Sequence, residues 1–330
     1  MPRISIIIPT AGRPDLLRRA ILSCFPEEHN DDIEVLVIAN GPDSSWKCVQ
    51  SDLHHDSRVS FYYHPLADQC NARNLGIELS RGIYIRFLDD DDYLFPEAAH
   101  HQLALMESEN LDFSSANVVC SDQDGNIFSR FSAPDTDSGT IAALSRDRLQ
   151  LPFAHVYRRS SIEELRWPVG LRQSEDIVWL IRYVAAKPRR WKKIDVDVGA
   201  WYQHTGLRQS LDRPSGFIHE ATADILLEAE SLLKKQDRWE SPFSVVISQA
   251  LMEIVHRAFP FRPIHWSKIA GHALRLDPDA RPSAAVYTFP VLSRADPRLI
   301  LWLLLLKRLA NLGTTAVVGM LRGREYRRTL

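Results

Sequence analysis

A chain of 330 residues, 45% hydrophobic and 25% charged, carries enough apolar material for a large buried core, which excludes a disordered or fibrous protein. Its 40 basic residues stand against 42 acidic ones for a formal net charge of −2, so the chain as a whole has no attraction for nucleic acid and any electrostatic function must be local. Cys24, Cys48, Cys70 and Cys120 form no CxxC pair, which argues against a zinc or dithiol site and for free thiols in a reducing cytosol.

Met1-Pro2-Arg3 runs directly into Ile4 to Ile8, an apolar stretch too short for a secretory signal and without a small-residue cleavage site. It reads as a buried strand of a cytoplasmic protein. Pro9-Thr10-Ala11-Gly12-Arg13-Pro14 follows, and Pro14 opens a helix over Asp15 to Cys24. Glu34 to Ile38 predicts a second strand that ends at the turn residues Asn40-Gly41-Pro42-Asp43, and Val59 to Tyr63 a third. A helix over Asp68 to Leu79 leads to a fourth strand, Ile83 to Leu88, which runs straight into Asp89-Asp90-Asp91-Asp92; Pro96 then restarts a helix to about Glu109. Short β-branched runs alternating with helical periods predict an α/β fold, a Rossmann-like mixed, mostly parallel sheet flanked by helices.

From Leu111 to Phe131 two strand-like stretches flank Asp122-Gln123-Asp124-Gly125-Asn126, the pattern of an antiparallel insertion, and Pro134 to Gly139 reads as a loop. Glu175 to Ala186 resumes a helical period, with Ile177, Leu180, Ile181 and Val184 on one side. Beyond Pro214 the pattern is almost wholly helical. We therefore expect a catalytic domain over 1–214, binding nucleotide through 1–110 and acceptor through 111–214, and a helical C-terminal region over 215–330. Leu299 to Leu306 is apolar all round, yet Lys307 and Arg308 end it short of the roughly 20 residues that a membrane span needs. With Arg322, Arg324, Arg327 and Arg328 in the tail, these helices suggest peripheral contact with the inner face of the cell membrane or a homodimer contact. A buried helix packed on the catalytic domain is the plainer alternative.

Four consecutive aspartates at a strand end repel one another unless something positive neutralises them. Ligands of open α/β sheets bind at the carboxyl ends of strands, so Mn²⁺ or Mg²⁺ with a nucleotide diphosphate completing its shell would satisfy the charge. A solvated acidic turn is the plainer reading of those four side chains alone. Upstream, the helix bearing Gln69-Cys70-Asn71-Ala72-Arg73-Asn74-Leu75-Gly76 presents Arg73, a planar fork suited to a phosphate or a base edge, and two asparagines as short donors.

Ile6-Ile7-Ile8-Pro9-Thr10, Asn71 to Gly76, Phe87-Leu88 with the four aspartates, and Glu175-Asp176 together resemble the family 2 glycosyltransferases of the GT-A fold, over residues 3 to 210. The resemblance implies an inverting hexosyltransferase that moves a sugar from a nucleotide diphosphate-sugar, a UDP-sugar by default, to a hydroxyl of a glycan or lipid-linked glycan in cell-surface polysaccharide or glycoconjugate synthesis. It implies that Asp89 and Asp91 form the DxD motif, Asp91 on the metal and Asp89 nearer the ribose or a metal-bound water, with Asp90-Asp92 as the competing register. Pro9, Thr10, Gly12, Arg13, Asn40, Arg73, Asp89 and Asp90 would line the nucleotide, and Arg208 would touch the diphosphate from a closing loop. Asp176, beside Glu175, would be the catalytic base, and His204 a third metal ligand. The family often carries a base-binding aspartate at the end of the second strand, where this chain has Ala39, so the resemblance implies that Asn40 or Asp43 substitutes or that the base preference differs. Two further readings stay open: a non-catalytic partner subunit that binds nucleotide-sugar, and a sugar-nucleotide pyrophosphorylase, for which the first loop, with Gly12 alone, lacks a glycine-rich cradle. Nucleic acid is not an expected partner, because no basic groove with interleaved aromatics surrounds the aspartates.

Overall fold

Isoleucines at 4, 6, 7 and 8 build the central strand and feed two cores, because successive side chains of a strand point to opposite faces. The computed structural model describes residues 1–27, 32–145, 151–171, 173–204, 218–290 and 292–310. In chain order the elements are β1 (Ile4–Thr10), α1 (Pro14–Leu22), β2 (Ile33–Asn40), α2 (Trp46–Asp52), β3 (Val59–His64), α3 (Gln69–Leu79), β4 (Tyr84–Phe87), β5 (Tyr93–Leu94) and α4 (Pro96–Ser108). They continue with β6 (Phe113–Ser121), β7 (Ile127–Phe131), α5 (Gly139–Leu144), β8 (His155–Arg158), α6 (Glu175–Ala186), β9 (Trp191–Tyr202), α7 (Ile218–Lys235), α8 (Ser241–Ala258) and α9 (Pro263–Leu276). A further helix over 297–310 is α10.

The sheet order is β3-β2-β1-β4-β8-β6-β9-β5, with β7 paired to β6. β3, β2, β1 and β4 run parallel, as strands joined by crossover helices must, while β8 enters antiparallel between β4 and β6. Ile4, Ile6 and Ile8 join one core with residues of α1, α2 and α4; Ile7 joins the other with residues of α3, α5 and α6. Helices thus cover both faces, which is why β1 and β2 are buried along their whole length.

Three features depart from the expected elements. The loop expected over 134–139 ends at Ser138, whose hydroxyl caps α5 by accepting from the amide of Ile141 (3.3 Å). Gly139 looks like a loop residue but opens that helix, because a Cβ there would stand 2.7 Å from Phe113 and 2.8 Å from Trp191. β9 pairs with β6 in parallel through register shifts around Asn117 that break its period of two, so no clean alternation marks it in the sequence.

Close packing also explains Gly76 in α3, where a Cβ would lie 2.3 Å from Cγ2 of Ile7 on β1. Gly76→Ala should therefore lower stability by about 1–3 kcal/mol despite its gain in helix propensity, measured as a lower denaturation midpoint. A midpoint at or above the parent's would contradict this packing.

The chain divides into two compact units, Met1–Asp212 with Ser231–Asp237, and Arg213–Glu230 with Arg238–Leu330. Inside the second, α8 and α9 pack together, the Ser248 hydroxyl donating to the carbonyl of Ala273 (2.7 Å). Among the described residues no helix is long and apolar enough to cross a membrane.

Candidate active site

β4 brings the aspartates to the carboxyl end of the sheet, Leu88 still donating its amide to the carbonyl of Ile7 (3.0 Å). Beyond it the side chains alternate. Asp90 and Asp92 turn inward, 1% and 2% exposed, whereas the side chains of Asp89 and Asp91 keep 30% and 18% of their surface open. Thr10 donates its hydroxyl to Asp90 (2.6 Å), and the Arg13 guanidinium bonds both Asp90 and Asp91. Asp92 accepts from the backbone amide of Tyr202 (3.0 Å), which ties the tip of β4 to the end of β9. His204, just past β9, places Nε2 3.2 Å from Oδ2 of Asp91. Arg19 donates to the carbonyl of Asp91 (2.6 Å) while lying over the Tyr202 ring. Burial, reinforced by Asp91 and Asp89 and opposed by Arg13 and Thr10, pushes the Asp90 carboxyl up to about 6.

On the other side of the tip, Asp68 caps α3 by accepting from the amides of Cys70 (2.7 Å) and Asn71 (3.1 Å). Arg73, 1% exposed, donates to Asp89 (2.6 Å) and stands 3.5 Å from Glu175, its guanidinium 4.3 Å from the centre of the Trp167 ring. Burial works against that charge, but Asp89 and Glu175 outweigh it and hold the guanidinium above its ordinary range. Asn74 fixes the support under it, donating to the carbonyl of Trp167 (3.1 Å) and accepting from its amide (2.7 Å). Trp167 in turn stacks on Trp179 of α6 with ring centres 4.6 Å apart.

α6 begins with Glu175-Asp176 directly after Ser174, a non-glycine residue in the left-handed region (φ 63°). Such a conformation costs about 1 kcal/mol and persists only where its surroundings impose it. Glu175 is buried and bonded by Gln69, and burial raises its carboxyl although Arg73 opposes the rise. Asp176 accepts from the amide of Ile177 (2.7 Å). Part of Asp176 stays open to solvent, but the atoms crowding its carboxyl push it up to about 7, and the charge of Glu175 adds to this. Arg73 and Asp89 both act on it, so the two acidic pairs share one field.

The structure thus gathers Thr10, Arg13, Asp89, Asp90, Asp91 and His204 at the tip of β4, and Arg73 links Asp89 to Glu175, the neighbour of Asp176. Pro9 is buried in β1. Asn40 commits its amide to the carbonyl of Thr10 (3.0 Å), whereas Asp43 is exposed and its carboxyl carbon would stand 3.0 Å from a Cβ at Gly12, whose φ of 87° already strains any side chain there. Arg208 lies outside the described residues, as does the tail over 311–330. Gln69, Arg19, Tyr202 and Trp167 belong to the site without having been expected there. Their roles rest on contacts between distant segments, and only the helical spacing of Gln69 and Arg73 carries a sequence signal. Among the described residues no three His, Cys, Asp or Glu side chains close on one point as a cation site; Asp91 and His204 are a pair that does meet.

An acidic, arginine-bridged tip on a mixed, mostly parallel sheet with a carboxylate pair opposite places the chain among the α/β proteins with the GT-A fold. In the structure of TarS 1–349 from S. aureus in complex with UDP-GlcNAc the same fold is found, at a TM-score of 0.65 and 15% identity over 84% of this chain and 82% of that one. Residues 5–166 match Glycosyl transferase family 2, and that part of the chain belongs to the family. It is 34% identical over 128 residues to an uncharacterized glycosyltransferase of Haemophilus influenzae, covering 38% of this chain and 51% of the relative. It is 27% identical over 191 residues to the GalNAc(5)-diNAcBac-PP-undecaprenol beta-1,3-glucosyltransferase of Campylobacter jejuni, covering 56% of this chain and 60% of the relative. The matches therefore span about half to three-fifths of these relatives' length.

Proposed function

We propose that the chain is an inverting glycosyltransferase that moves a sugar from a nucleoside diphosphate-sugar, with UDP as the default nucleotide, to an acceptor hydroxyl. The single observation that carries this reading is the pair of open carboxylates, Asp89 and Asp91, with a buried arginine, Arg73, that joins Asp89 to Glu175 beside Asp176. The inward turn of Asp90 and Asp92 favours Asp89 and Asp91 as the DxD pair.

In this reading the acceptor oxygen forms its bond to the anomeric carbon from the side opposite the diphosphate, and the bond from that carbon to the diphosphate oxygen breaks, its electron pair leaving with the nucleotide. Asp176 takes the acceptor's proton. Arg13 and Arg73 lower the local negative potential against which the departing diphosphate develops its charge. A carboxylate oxygen suits Mn²⁺ or Mg²⁺, an added imidazole nitrogen favours Mn²⁺ over the harder Mg²⁺, and an octahedral ion with ligands at about 2.1 Å holds neighbouring donors about 3 Å apart. The 3.2 Å between Asp91 and His204 fits, so these two residues would hold such an ion, with donor oxygens and water completing its shell. When bound it would add Lewis-acid stabilisation of the leaving group. The undecaprenol-linked substrate in the name of the Campylobacter relative supports a lipid-linked glycan as acceptor.

Screening nucleotide-sugars for thermal stabilisation in the presence of Mn²⁺ tests the proposal, because a ligand at 100 times its Kd stabilises the fold by about 2.7 kcal/mol. One nucleotide-sugar should raise the melting temperature of the parent and leave Asp91→Ala unmoved. Stabilisation by none, or equal stabilisation of both proteins, would overturn it. A non-catalytic partner subunit would show the shift without any turnover of the donor.

A raised base gives the reaction a pH signature. Asp176 is protonated below about 7 and becomes able to accept a proton above it, so kcat should rise about tenfold per unit through the acid limb and level off above neutrality. A kcat flat from pH 5 to 8 (about the range that brackets this titration) would count against Asp176 as the base.

A further inference from the structure

α10 is an apolar helix with two faces. Ile300 and Leu301 are buried within the helical unit, while Leu299, Leu303 and Leu306 stand 61%, 78% and 80% exposed. At about 100° per residue these three leucines fall within about 60° of one another, Trp302 borders them on one side, and Arg298 and Lys307 mark the two margins of the stripe. Soluble monomers rarely leave so continuous an apolar row uncovered.

Beside the stripe, α9 and α10 enclose a groove of about 540 Å³ lined by Lys268, Arg275 and Arg298, with Trp302 and Ile264 at its apolar edge. Gly271 opens the floor: a Cβ there would meet Nη1 of Arg298 at 3.5 Å and Nη1 of Arg275 at 3.9 Å, so two guanidinium groups converge over a residue with no side chain. The Trp302 indole donates to the Ser267 hydroxyl (3.0 Å), which holds the ring at the rim. Asp296 pairs with Arg298, leaving Lys268 and Arg275 as the groove's net positive charge.

We infer that this face of the helical unit docks on an anionic phospholipid bilayer, α10 lying in the plane of the interface with its leucines among the acyl chains and the groove taking headgroup phosphates. Charge selects this occupant over a second copy of the chain, because two such faces brought together would oppose arginines and lysines to one another, which disfavours association. This inference does not depend on the transfer reaction.

Co-sedimentation of the full chain with phosphatidylglycerol-containing vesicles and with pure phosphatidylcholine vesicles tests it. Binding should be at least about tenfold stronger to the anionic vesicles and should weaken as salt rises. Leu303→Glu with Leu306→Glu should cut it by at least about tenfold, and Lys268→Glu with Lys307→Glu by about fivefold per reversed charge. These exposed positions should leave the thermal midpoint and any donor-induced shift unchanged, so the surface can fail while the transferase reading stands, and the reverse. Equal binding to both vesicle types, binding to neither, or undiminished binding of the leucine variant would overturn the inference. So would a dimer in sedimentation equilibrium that the leucine variant abolishes while vesicles go unbound.

Discussion

Asp176→Asn should bind the donor as tightly as the parent and transfer sugar about 10²–10⁴-fold more slowly, the range lost when a positioned general base is removed. The substitution keeps size and shape and takes away only the capacity to accept a proton. Its effect on stability has a definite sign. A carboxyl whose pKa rises from 3.8 to about 7 on folding contributes stability that is fully present below its unfolded value and is lost as the pH climbs through about 7. The asparagine variant should therefore be more stable than the parent above neutrality and lose that advantage in acid. Single-turnover transfer beside melting curves at two pH values would check both statements. Transfer at the parent's rate would remove Asp176 from the chemistry.

Arg73→Met should have the largest effect on the fold, about 3–5 kcal/mol of destabilisation, because it leaves the buried Glu175, and with it the more open Asp89, without their shared cation. The thioether chain can still pack on Trp167, so the loss reports charge more than volume. Adding Glu175→Gln removes one of the stranded charges and should recover part of the loss, a coupling that a double-mutant cycle in urea reads directly. Additive effects would mean that the pair does not act as a unit.

Much of this architecture was legible. β1 announces itself because a strand buried on both faces must be a nearly continuous apolar run, β4 is marked by the aspartates at its end although Arg86 interrupts it, and Pro14 and Pro96 mark the helix starts. Four identical aspartates, by contrast, carry no phase. The choice of Asp89 and Asp91 as the open pair comes from Thr10 and Arg13 on the neighbouring β1 loop, which draw Asp90 inward. Asn71 and Asn74 read as ligand donors from their chemistry, yet Asn74 holds the backbone of Trp167, 93 residues away, and no local pattern foretells that contact. Glu175 and Asp176 were recognisable through the order of motifs only. A helix-start acidic pair is common, and what sets this one apart is Arg73 lying between it and the tip of β4.

The central claim is that the tip of β4 and the start of α6 form one site for a nucleoside diphosphate-sugar. A crystal structure with a nucleoside diphosphate and Mn²⁺ tests it most directly. The account predicts the ion on Asp91 and His204, the diphosphate on that ion, and the carboxyl of Asp176 facing the vacant side from which an acceptor would attack. A nucleotide bound elsewhere, with Asp89 still held by Arg73 and Asp91 by Arg13 and His204, would contradict it.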